Sequence, residues 1–338
     1  MVIDIIVAVL FLVIGFIMLS KGADWFVDGA AGIAGKLRIP TLVIGLTVVS
    51  FGTTAPEVSA SSISAVQGNV GFAIGNVLGS NITNILLILG LAAVFTAVPA
   101  KKQSRTTALP VLLVASVMII LFGAIDNEIQ RYEGIIFLVC MVAYTTYLIL
   151  DAFKNRPAEQ TIDETTLVGE EEGKGFDAWR ARMGKYTWFL IVSTLVGVGV
   201  VIGGALLAID GIETLSAIIG IPDKVAGLTV LAIGTSLPEL ITCTTAARKG
   251  ETDIAIGNIV GACTINLLLV TGISATITPL PFSSDGVSFL ADGLIALGAA
   301  AILAVLCYLP GHKIRRWGGV TMLCAFAAYY VYLFATML

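Results

Sequence analysis

Two glutamates with nearly identical flanking residues are the part of this sequence best suited to chemistry. Each ends a hexapeptide within an apolar stretch, Gly-Thr-Thr-Ala-Pro-Glu57 and Gly-Thr-Ser-Leu-Pro-Glu239. A charge at the centre of a membrane helix costs about 2.5 to 3.5 kcal/mol on insertion scales, so an acid held there needs a partner. Two such acids in matching positions predict a shared cation.

Hydroxyl groups precede both glutamates at the same spacing. Residues three and four positions before an acid share its face if the chain there is roughly helical. In this sequence all four such positions carry a hydroxyl: Thr53, Thr54, Thr235 and Ser236. We therefore expect these oxygens to face the same site as the carboxylates.

A proline next to each glutamate predicts a broken helix. Pro56 and Pro238 lie in the middle of apolar segments, where proline removes a backbone donor and clashes with the carbonyl four residues earlier. The break frees carbonyl oxygens near Ser50 and Ala232. It also starts a new half-helix whose positive end stabilises the neighbouring carboxylate.

The next apolar segment of each half carries a polar stripe with a four-residue spacing. In the first half the stripe is Asn76, Ser80 and Asn84, and in the second it is Asn258, Ala262 and Asn266. We interpret Asn76 and Asn258 as residues that tie helices together. Asn84 and Asn266, which lie closer to the level of the acids, are predicted to be ligands.

These donors are all hard oxygens, which favour Ca²⁺, Na⁺ or Mg²⁺ over the transition metals. Calcium accepts six to eight oxygens in flexible geometry, whereas Mg²⁺ demands a strict octahedron and loses water slowly. Two carboxylates neutralise one Ca²⁺, while Na⁺ would need more than one ion. The two ions could therefore compete for one cage.

The surrounding segments must be membrane helices. With 57% hydrophobic and 12% charged residues in 338, an all-α membrane protein is expected rather than a soluble domain. A span needs about 20 apolar residues. Ten segments qualify: 3–21, 39–66, 71–97, 107–126, 131–151, 186–208, 223–247, 253–280, 286–309 and 316–336.

The basic residues predict the orientation of these spans. If both termini are extracytoplasmic, 17 of the 19 Lys and Arg residues fall on the cytoplasmic side, and only Arg131 and Lys224 fall outside. The positive-inside rule favours this arrangement. We therefore expect a multi-pass protein of the cell (inner) membrane, and the first segment, which lacks a basic leader, is predicted to be a retained helix.

The chain contains an internal repeat. A shift of 182 residues aligns 39–57 with 221–239, and 11 of these 19 positions are identical. Five spans per repeat force the second copy to enter the membrane from the opposite side, an arrangement typical of secondary transporters with a shared site near the midplane. The predicted organisation is a first five-helix repeat at 1–151, a polar cytoplasmic linker at 152–185 and a second, inverted five-helix repeat at 186–338.

Each glutamate is followed by a second polar motif: Glu57 by Gly75-Asn-Val-Leu-Gly-Ser-Asn-Ile-Thr-Asn84, and Glu239 by Gly257-Asn-Ile-Val-Gly-Ala-Cys-Thr-Ile-Asn266. Together with the glutamate segments, these motifs resemble the two alpha repeats of the sodium/calcium exchanger family, within the cation/calcium antiporter superfamily. The length suits a compact, prokaryotic-type member. The resemblance implies that both glutamates coordinate Ca²⁺ and share Na⁺ sites. It implies that Thr53 and Thr235 contribute to these sites. It further implies Na⁺ ligands at Thr54, Ser236, Ser80 and the carbonyls of Ser50 and Ala232, with Asn84 at the central position.

Two residues depart from the pattern of that family. Many members have Asp where this chain has Asn266, and Ser where it has Ala262. The lost carboxylate argues against K⁺ co-transport. The lost hydroxyl removes one implied Na⁺ ligand, so the ion ratio and the coupling ion are less constrained than the fold.

The leading hypothesis is therefore a Na⁺/Ca²⁺ antiporter that exports Ca²⁺ by alternating access. An H⁺/Ca²⁺ antiporter is the alternative, because a buried glutamate can carry a proton. An intramembrane enzyme is disfavoured, since the single histidine, His312, lies in a basic loop. A passive channel suits inverted, broken helices less well. No cofactor, nucleic acid or protein partner is indicated; Ca²⁺, Na⁺ and the lipid bilayer are the expected partners.

Overall fold

The computed structural model describes residues 2–36, 50–154, 186–249, 252–284 and 287–336, and within these ranges the protein is mostly helical. Eight helices are long and apolar enough to cross a membrane, and a bent pair makes a ninth. In chain order the helices are α1 (Val2–Lys36), α2 (Ser50–Thr53), α3 (Ala55–Gln67), α4 (Val70–Phe95), α5 (Ser104–Ile125), α6 (Arg131–Lys154), α7 (Thr187–Ile219), α8 (Asp223–Thr235), α9 (Leu237–Lys249), α10 (the consecutive stretches Thr252–Ile265, Asn266–Val270 and Thr271–Ile277), α11 (Leu290–Tyr308) and α12 (Arg316–Ala335).

The predicted class, a helical membrane protein, is confirmed, whereas the count of ten spans stays a prediction. The span expected at 39–66 begins outside the described residues and continues as α2 and α3, and the span expected at 223–247 is the bent pair α8 and α9. Of the linker expected at 152–185, residues 155–185 lie outside the described part of the chain. The inverted relation of the halves and the side on which the termini lie also stay predictions.

Two helices are longer than the sequence predicted. The segments expected at 3–21 and 186–208 belong to α1 and α7, which contain 35 and 33 residues. At about 1.5 Å per residue each measures roughly 50 Å, against about 30 Å of hydrocarbon. Neither helix contains a proline, which would break it. The charged residues that end the apolar runs do not end the helices. Both helices therefore tilt or project beyond the bilayer.

The two long helices cross closely because glycines lie at their contact. A Cβ atom at Gly15 would lie 2.8 Å from the Gly204 carbonyl oxygen, and one at Gly22 would lie 2.9 Å from the Gly197 carbonyl oxygen. Small residues allow this approach of two membrane helices. Gly15 and Gly197, like Gly22 and Gly204, are 182 positions apart, so the duplication supplies both sides of the contact.

α4 and α10 form the centre of the molecule. Of the most apolar 18-residue stretch of each helix, 83% is buried in α4 and 78% in α10, but only 22% in α1 and 28% in α7. The helices that carry the two polar stripes are therefore shielded from lipid by the others. A polar group on them faces protein rather than hydrocarbon.

Short antiparallel strand pairs connect the ends of the helices. Within the described residues, β1 (Val98–Pro99) pairs with β6 (Lys313–Ile314), β2 (Glu128–Ile129) with β3 (Leu280–Pro281), and β4 (Ser283–Ser284) with β5 (Val287–Ser288). The first two pairs join the first half of the chain to the second. They hold the ends of the two halves together around α4 and α10.

Candidate functional site

Both glutamates lie in the first turn of a helix that follows a break. The break separates α2 from α3 at Thr54, and α8 from α9 at Ser236, where the two helices meet at 45°. The helix breaks predicted from Pro56 and Pro238 are thus present, but the Ala232 carbonyl is not freed by the break, because it accepts a 3.2 Å hydrogen bond from the Ser236 backbone N–H. Glu57 and Glu239 are each 0% exposed. Their helix N-termini supply partial positive charge, which favours the ionised form of each acid.

The two acids belong to one site although 182 positions separate them. Glu57 and Glu239 interact electrostatically with each other. The Ser236 hydroxyl, which precedes Glu239 in the chain, donates a 3.1 Å hydrogen bond to Oε1 of Glu57. Each half of the chain therefore contributes to the surroundings of the other half's acid.

Most of the carboxylate oxygen atoms have no protein donor. Oε2 of Glu57 and both Oε atoms of Glu239 are buried without a hydrogen-bond partner among the described residues. The Thr53 hydroxyl interacts with Glu239. A buried, ionised carboxylate without a partner is very unfavourable. Three oxygens are consequently available for a cation or a proton.

Two hydroxyls of the site are oriented by asparagines from the opposite half. The Thr235 hydroxyl donates to Oδ1 of Asn76 at 3.0 Å, and the Thr53 hydroxyl donates to Oδ1 of Asn258 at 3.4 Å. The two bonds join equivalent positions of the repeat. Because each hydroxyl proton points to an asparagine, the oxygen lone pairs remain for other contacts. The structural role predicted for Asn76 and Asn258 fits these bonds.

The asparagines predicted to be ligands lie at irregular points of the central helices. Asn84 falls in a π-helical stretch, Thr83–Leu89, and Asn266 begins another, Asn266–Val270. Such π-helical stretches occur frequently at functional sites. Both side chains are fully buried, and neither polar atom of either amide has a hydrogen-bond partner within the described chain.

The remaining predicted residues lie close to the break in the second half or to its equivalent in the first. The Ser80 hydroxyl donates to the Ala232 carbonyl at 3.4 Å. Ala262, which occupies the position equivalent to Ser80, has no hydroxyl to donate, so the site is asymmetric here. Thr54 is 0% exposed at the break, and Ser50 begins α2.

Sequence reasoning missed Ser61, whose hydroxyl accepts a 2.9 Å hydrogen bond from Nδ2 of Asn76. Its position four residues after Glu57 on the same helix is the signal that could have found it. The bond fixes the orientation of the amide that in turn receives the Thr235 proton. Ser61 therefore positions the site indirectly.

A buried acid that the sequence did not single out lies in α11. Asp292 is 0% exposed, its Oδ2 lies 2.6 Å from the Lys224 ammonium, and its Oδ1 accepts a 3.1 Å hydrogen bond from the Tyr329 hydroxyl. Lys224 lies in the first turn of the broken helix α8. This acid is already neutralised by the protein, unlike the two glutamates, and it connects α8 to α11 and α12.

The donors that the site offers are carboxylate, hydroxyl, amide and carbonyl oxygens. Among the described residues, no group of three or more His, Cys, Asp or Glu side chains is arranged to hold a metal ion. The candidate site combines two carboxylates with neutral oxygens. Such a mixed oxygen set suits hard cations.

A protein-family comparison matches residues 7–150 and 189–335 to the model described as sodium/calcium exchanger protein. The putative antiporter CaxA of Alkalimonas amylolytica is 33% identical to this chain, covering 98% of this chain and 100% of the relative. The sodium/calcium exchanger MaX1 of Methanosarcina acetivorans is 31% identical, with coverage of 96% and 98%.

Similar folds occur among solved structures. One structure of the sodium-calcium exchanger NCX_Mj, soaked with Na⁺ and Sr²⁺, aligns with a TM-score of 0.66 and 25% identity, and covers 97% of this chain and 98% of that one. The likeness extends over both halves of the chain. Together with the family match, it shows that the chain belongs to the sodium/calcium exchanger family of membrane antiporters.

Proposed function

We propose that this protein exchanges Na⁺ for Ca²⁺ across the membrane by alternating access and that Glu57 and Glu239 hold the transported ions. The observation that carries the proposal is the set of three buried carboxylate oxygens without a protein donor. They converge in a site with oriented hydroxyls and no neutralising Lys or Arg among its described contacts. A transported cation supplies the missing charge.

Ca²⁺ and Na⁺ compete for this site because its charge is limited. The two carboxylates carry a formal charge of −2, which one Ca²⁺ neutralises, whereas Na⁺ needs more than one ion. The hydroxyls of Thr53, Thr54, Thr235 and Ser236 complete the coordination. Ser80, the amide oxygens of Asn84 and Asn266 and the carbonyls of Ser50 and Ala232 add neutral oxygens for Na⁺. Binding of one ion type therefore displaces the other.

The cost of burying unpaired charge couples the two ion movements. An empty site would keep two carboxylates in a medium of low dielectric constant, at a cost of several kcal/mol. The site therefore switches its access from one side of the membrane to the other readily only when a cation is bound. This property favours coupled exchange over an uncoupled leak of ions.

The organisation proposed for transport has a five-helix repeat at 1–151, a cytoplasmic linker at 152–185 and an inverted repeat at 186–338. Both termini face the extracytoplasmic side of the cell membrane, in line with the distribution of Lys and Arg. With Na⁺ running inward down its gradient, the exchange exports Ca²⁺. The glycine contact between α1 and α7 supports a pseudo-symmetric relation of the halves.

Flux measurements on purified protein in proteoliposomes test the proposal. An imposed Na⁺ gradient is expected to drive Ca²⁺ in the opposite direction, with K⁺ in place of Na⁺ as the control. Proton coupling is the second candidate, because the same unpartnered oxygens can bind H⁺. Calcium movement driven by a pH gradient and not by a Na⁺ gradient would replace the first assignment with the second.

A further inference from the structure

Two buried serines lie on the helices that lead away from the glutamates. Ser64 is seven residues after Glu57 on α3, and Ser274 is eight residues after Asn266 on α10. Both are 0% exposed, and neither hydroxyl has a hydrogen-bond partner among the described residues. A buried hydroxyl without a partner costs about 1 to 3 kcal/mol.

Several other buried hydroxyls in these membrane helices avoid that cost, although those of Ser62 and Thr83 do not. Ser116 donates to the Leu112 carbonyl at 2.8 Å, and Thr264 donates to the Val260 carbonyl at 2.8 Å. This bond to the carbonyl four residues earlier is the ordinary solution within a helix. Ser64 and Ser274 do not make this bond, so their hydroxyl oxygens remain available to a group outside these two helices.

The ends of α3 and α10 bring these serines to one region. The Thr278 hydroxyl, just after α10, donates to the Ala65 carbonyl near the end of α3 at 2.9 Å. Ser64 is adjacent to Ala65, and Ser274 is one helical turn before Thr278. Both serines therefore lie within about one helical turn of the same interhelical bond, between the level of Glu57 and Asn266 and the ends of α3 and α10.

The π-helical stretch of α10 helps to place Asn266, Thr271, Ser274 and Thr278 on one face of that helix. The stretch Asn266–Val270 is π-helical, and the Thr271 hydroxyl donates to the Asn266 carbonyl at 3.3 Å, which places Asn266 and Thr271 on one side of the helix. Ser274 and Thr278 follow at intervals of three and four residues, which continues the same face. On α3 the corresponding row is Glu57, Ser61 and Ser64.

The hydroxyls of this row are not repeated at the equivalent positions of the duplicated sequence. The position equivalent to Ser64 in the second half is Ala246, and the position equivalent to Ser274 in the first half is Ala92. Ser61 is likewise matched by Cys243. The two halves therefore differ at these three positions, with a hydroxyl in one copy and none in the other.

We propose that Ser64 and Ser274 form an outer, transient site for a hard cation, Na⁺ or Ca²⁺, which exchanges part of its hydration shell for these two hydroxyl oxygens before it reaches Glu57. The inference rests on the proposed cation exchange. Hydroxyl oxygens stabilise a partly dehydrated cation without holding it as tightly as a carboxylate. Weak binding of this kind permits passage toward the deeper site.

A sided flux assay tests this outer site. Substituting both serines, Ser64→Ala with Ser274→Ala, is expected to raise the KM for cation added at the face where α3 and α10 end by about fivefold, equivalent to about 1 kcal/mol. The KM at the opposite face and kcat should stay within twofold. Ser116→Ala is the matched control, because it removes a buried serine hydroxyl that already has a partner. Equal changes at both faces, or none, would overturn the proposal.

A labelling experiment separates this proposal from the exchange function. In Ser274→Cys, a small charged thiol reagent added at the outer face is expected to modify the new cysteine, and Ca²⁺ or Na⁺ should slow the reaction at least threefold, with the unsubstituted protein as the background control. Because this readout needs no transport, it remains informative if wild-type vesicles show no Na⁺-driven flux, a result that would refute the exchange function alone. Labelling that is absent, or unaffected by both cations, would refute the outer site.

Discussion

The Ser236 hydroxyl donates its 3.1 Å hydrogen bond to Glu57, an acid of the other half of the chain, rather than to Glu239 in its own helix turn. The Thr235–Asn76 and Thr53–Asn258 bonds cross between the halves in the same way. A motion that separated the halves would break these bonds together. The proposed ion site and the relative position of the halves are thereby linked.

Removing the charge of either acid should stop exchange. Glu57→Gln or Glu239→Gln leaves one carboxylate, which cannot neutralise Ca²⁺, and we expect Na⁺-driven Ca²⁺ flux in proteoliposomes to fall by at least a hundredfold, about 2.7 kcal/mol. Glu213→Gln, at an exposed glutamate of α7, is the matched control. Near-normal flux in either site variant would refute the assignment of that residue.

Loss of the crossing hydroxyl should weaken the site without abolishing it. Ser236→Ala removes one donor to Glu57 and one neutral oxygen, a loss of about 1 kcal/mol, so the KM for Ca²⁺ is expected to rise about fivefold. Ser193→Ala provides the comparison, since Ser193 donates to the Trp25 carbonyl between α7 and α1. An unchanged KM for Ser236→Ala would show that this hydroxyl is not part of the binding site.

The threonine–asparagine bond should appear as an energetic coupling. For Thr235→Val and Asn76→Ala, separately and combined, we expect the thermal unfolding of detergent-solubilised protein to reveal a coupling free energy of about 0.6 kcal/mol, typical of hydrogen bonds between membrane helices. Thr235→Val combined with Ser193→Ala is the control, and its effects should add. Strict additivity in the first cycle would mean that the bond contributes nothing.

Restoring the missing hydroxyl should act on Na⁺ more than on Ca²⁺. Ala262→Ser places an oxygen at the position equivalent to Ser80, so we expect the KM for Na⁺ to fall about threefold, since each neutral oxygen contributes about 1 kcal/mol or less. The KM for Ca²⁺ should change less than twofold. Ala255→Ser, at another buried alanine of the same helix, should change neither value. A larger effect on Ca²⁺ than on Na⁺ would contradict the role assigned to this position.

Adding a third acid should alter cation preference while transport persists. Asn266→Asp adds negative charge to a fully buried position, and a third carboxylate requires a further cation or a proton for neutrality. We expect Ca²⁺ flux to continue but to become sensitive to external K⁺ or to pH. Flux measured while Na⁺, K⁺ and pH vary independently will detect the change, with Asn266→Gln as the neutral control. Complete inactivity of a correctly folded variant, or an unaltered ion dependence, would contradict the expectation.

Much of the site could be predicted because the relevant signals are local. The proline beside each glutamate predicted a break, and helices end at Thr53 and Thr235. The pairing of Asp292 with Lys224 escaped prediction, because these residues are 68 positions apart in different apolar segments. The full length of α1 also escaped it, since hydropathy marks where a chain enters lipid and not where its backbone hydrogen bonds end.

By itself the sequence determined that this is a helical membrane protein with a duplicated acidic motif. Those properties follow from the apolar length needed to cross a bilayer and from the cost of a charge within it, and both can be evaluated one segment at a time. Only the tertiary structure decided that the Ser236 hydroxyl donates a hydrogen bond to Glu57 and that Asn76 and Asn258 orient threonines of the opposite half. Contacts between helices depend on crossing angle and register, which composition and spacing within one segment leave open.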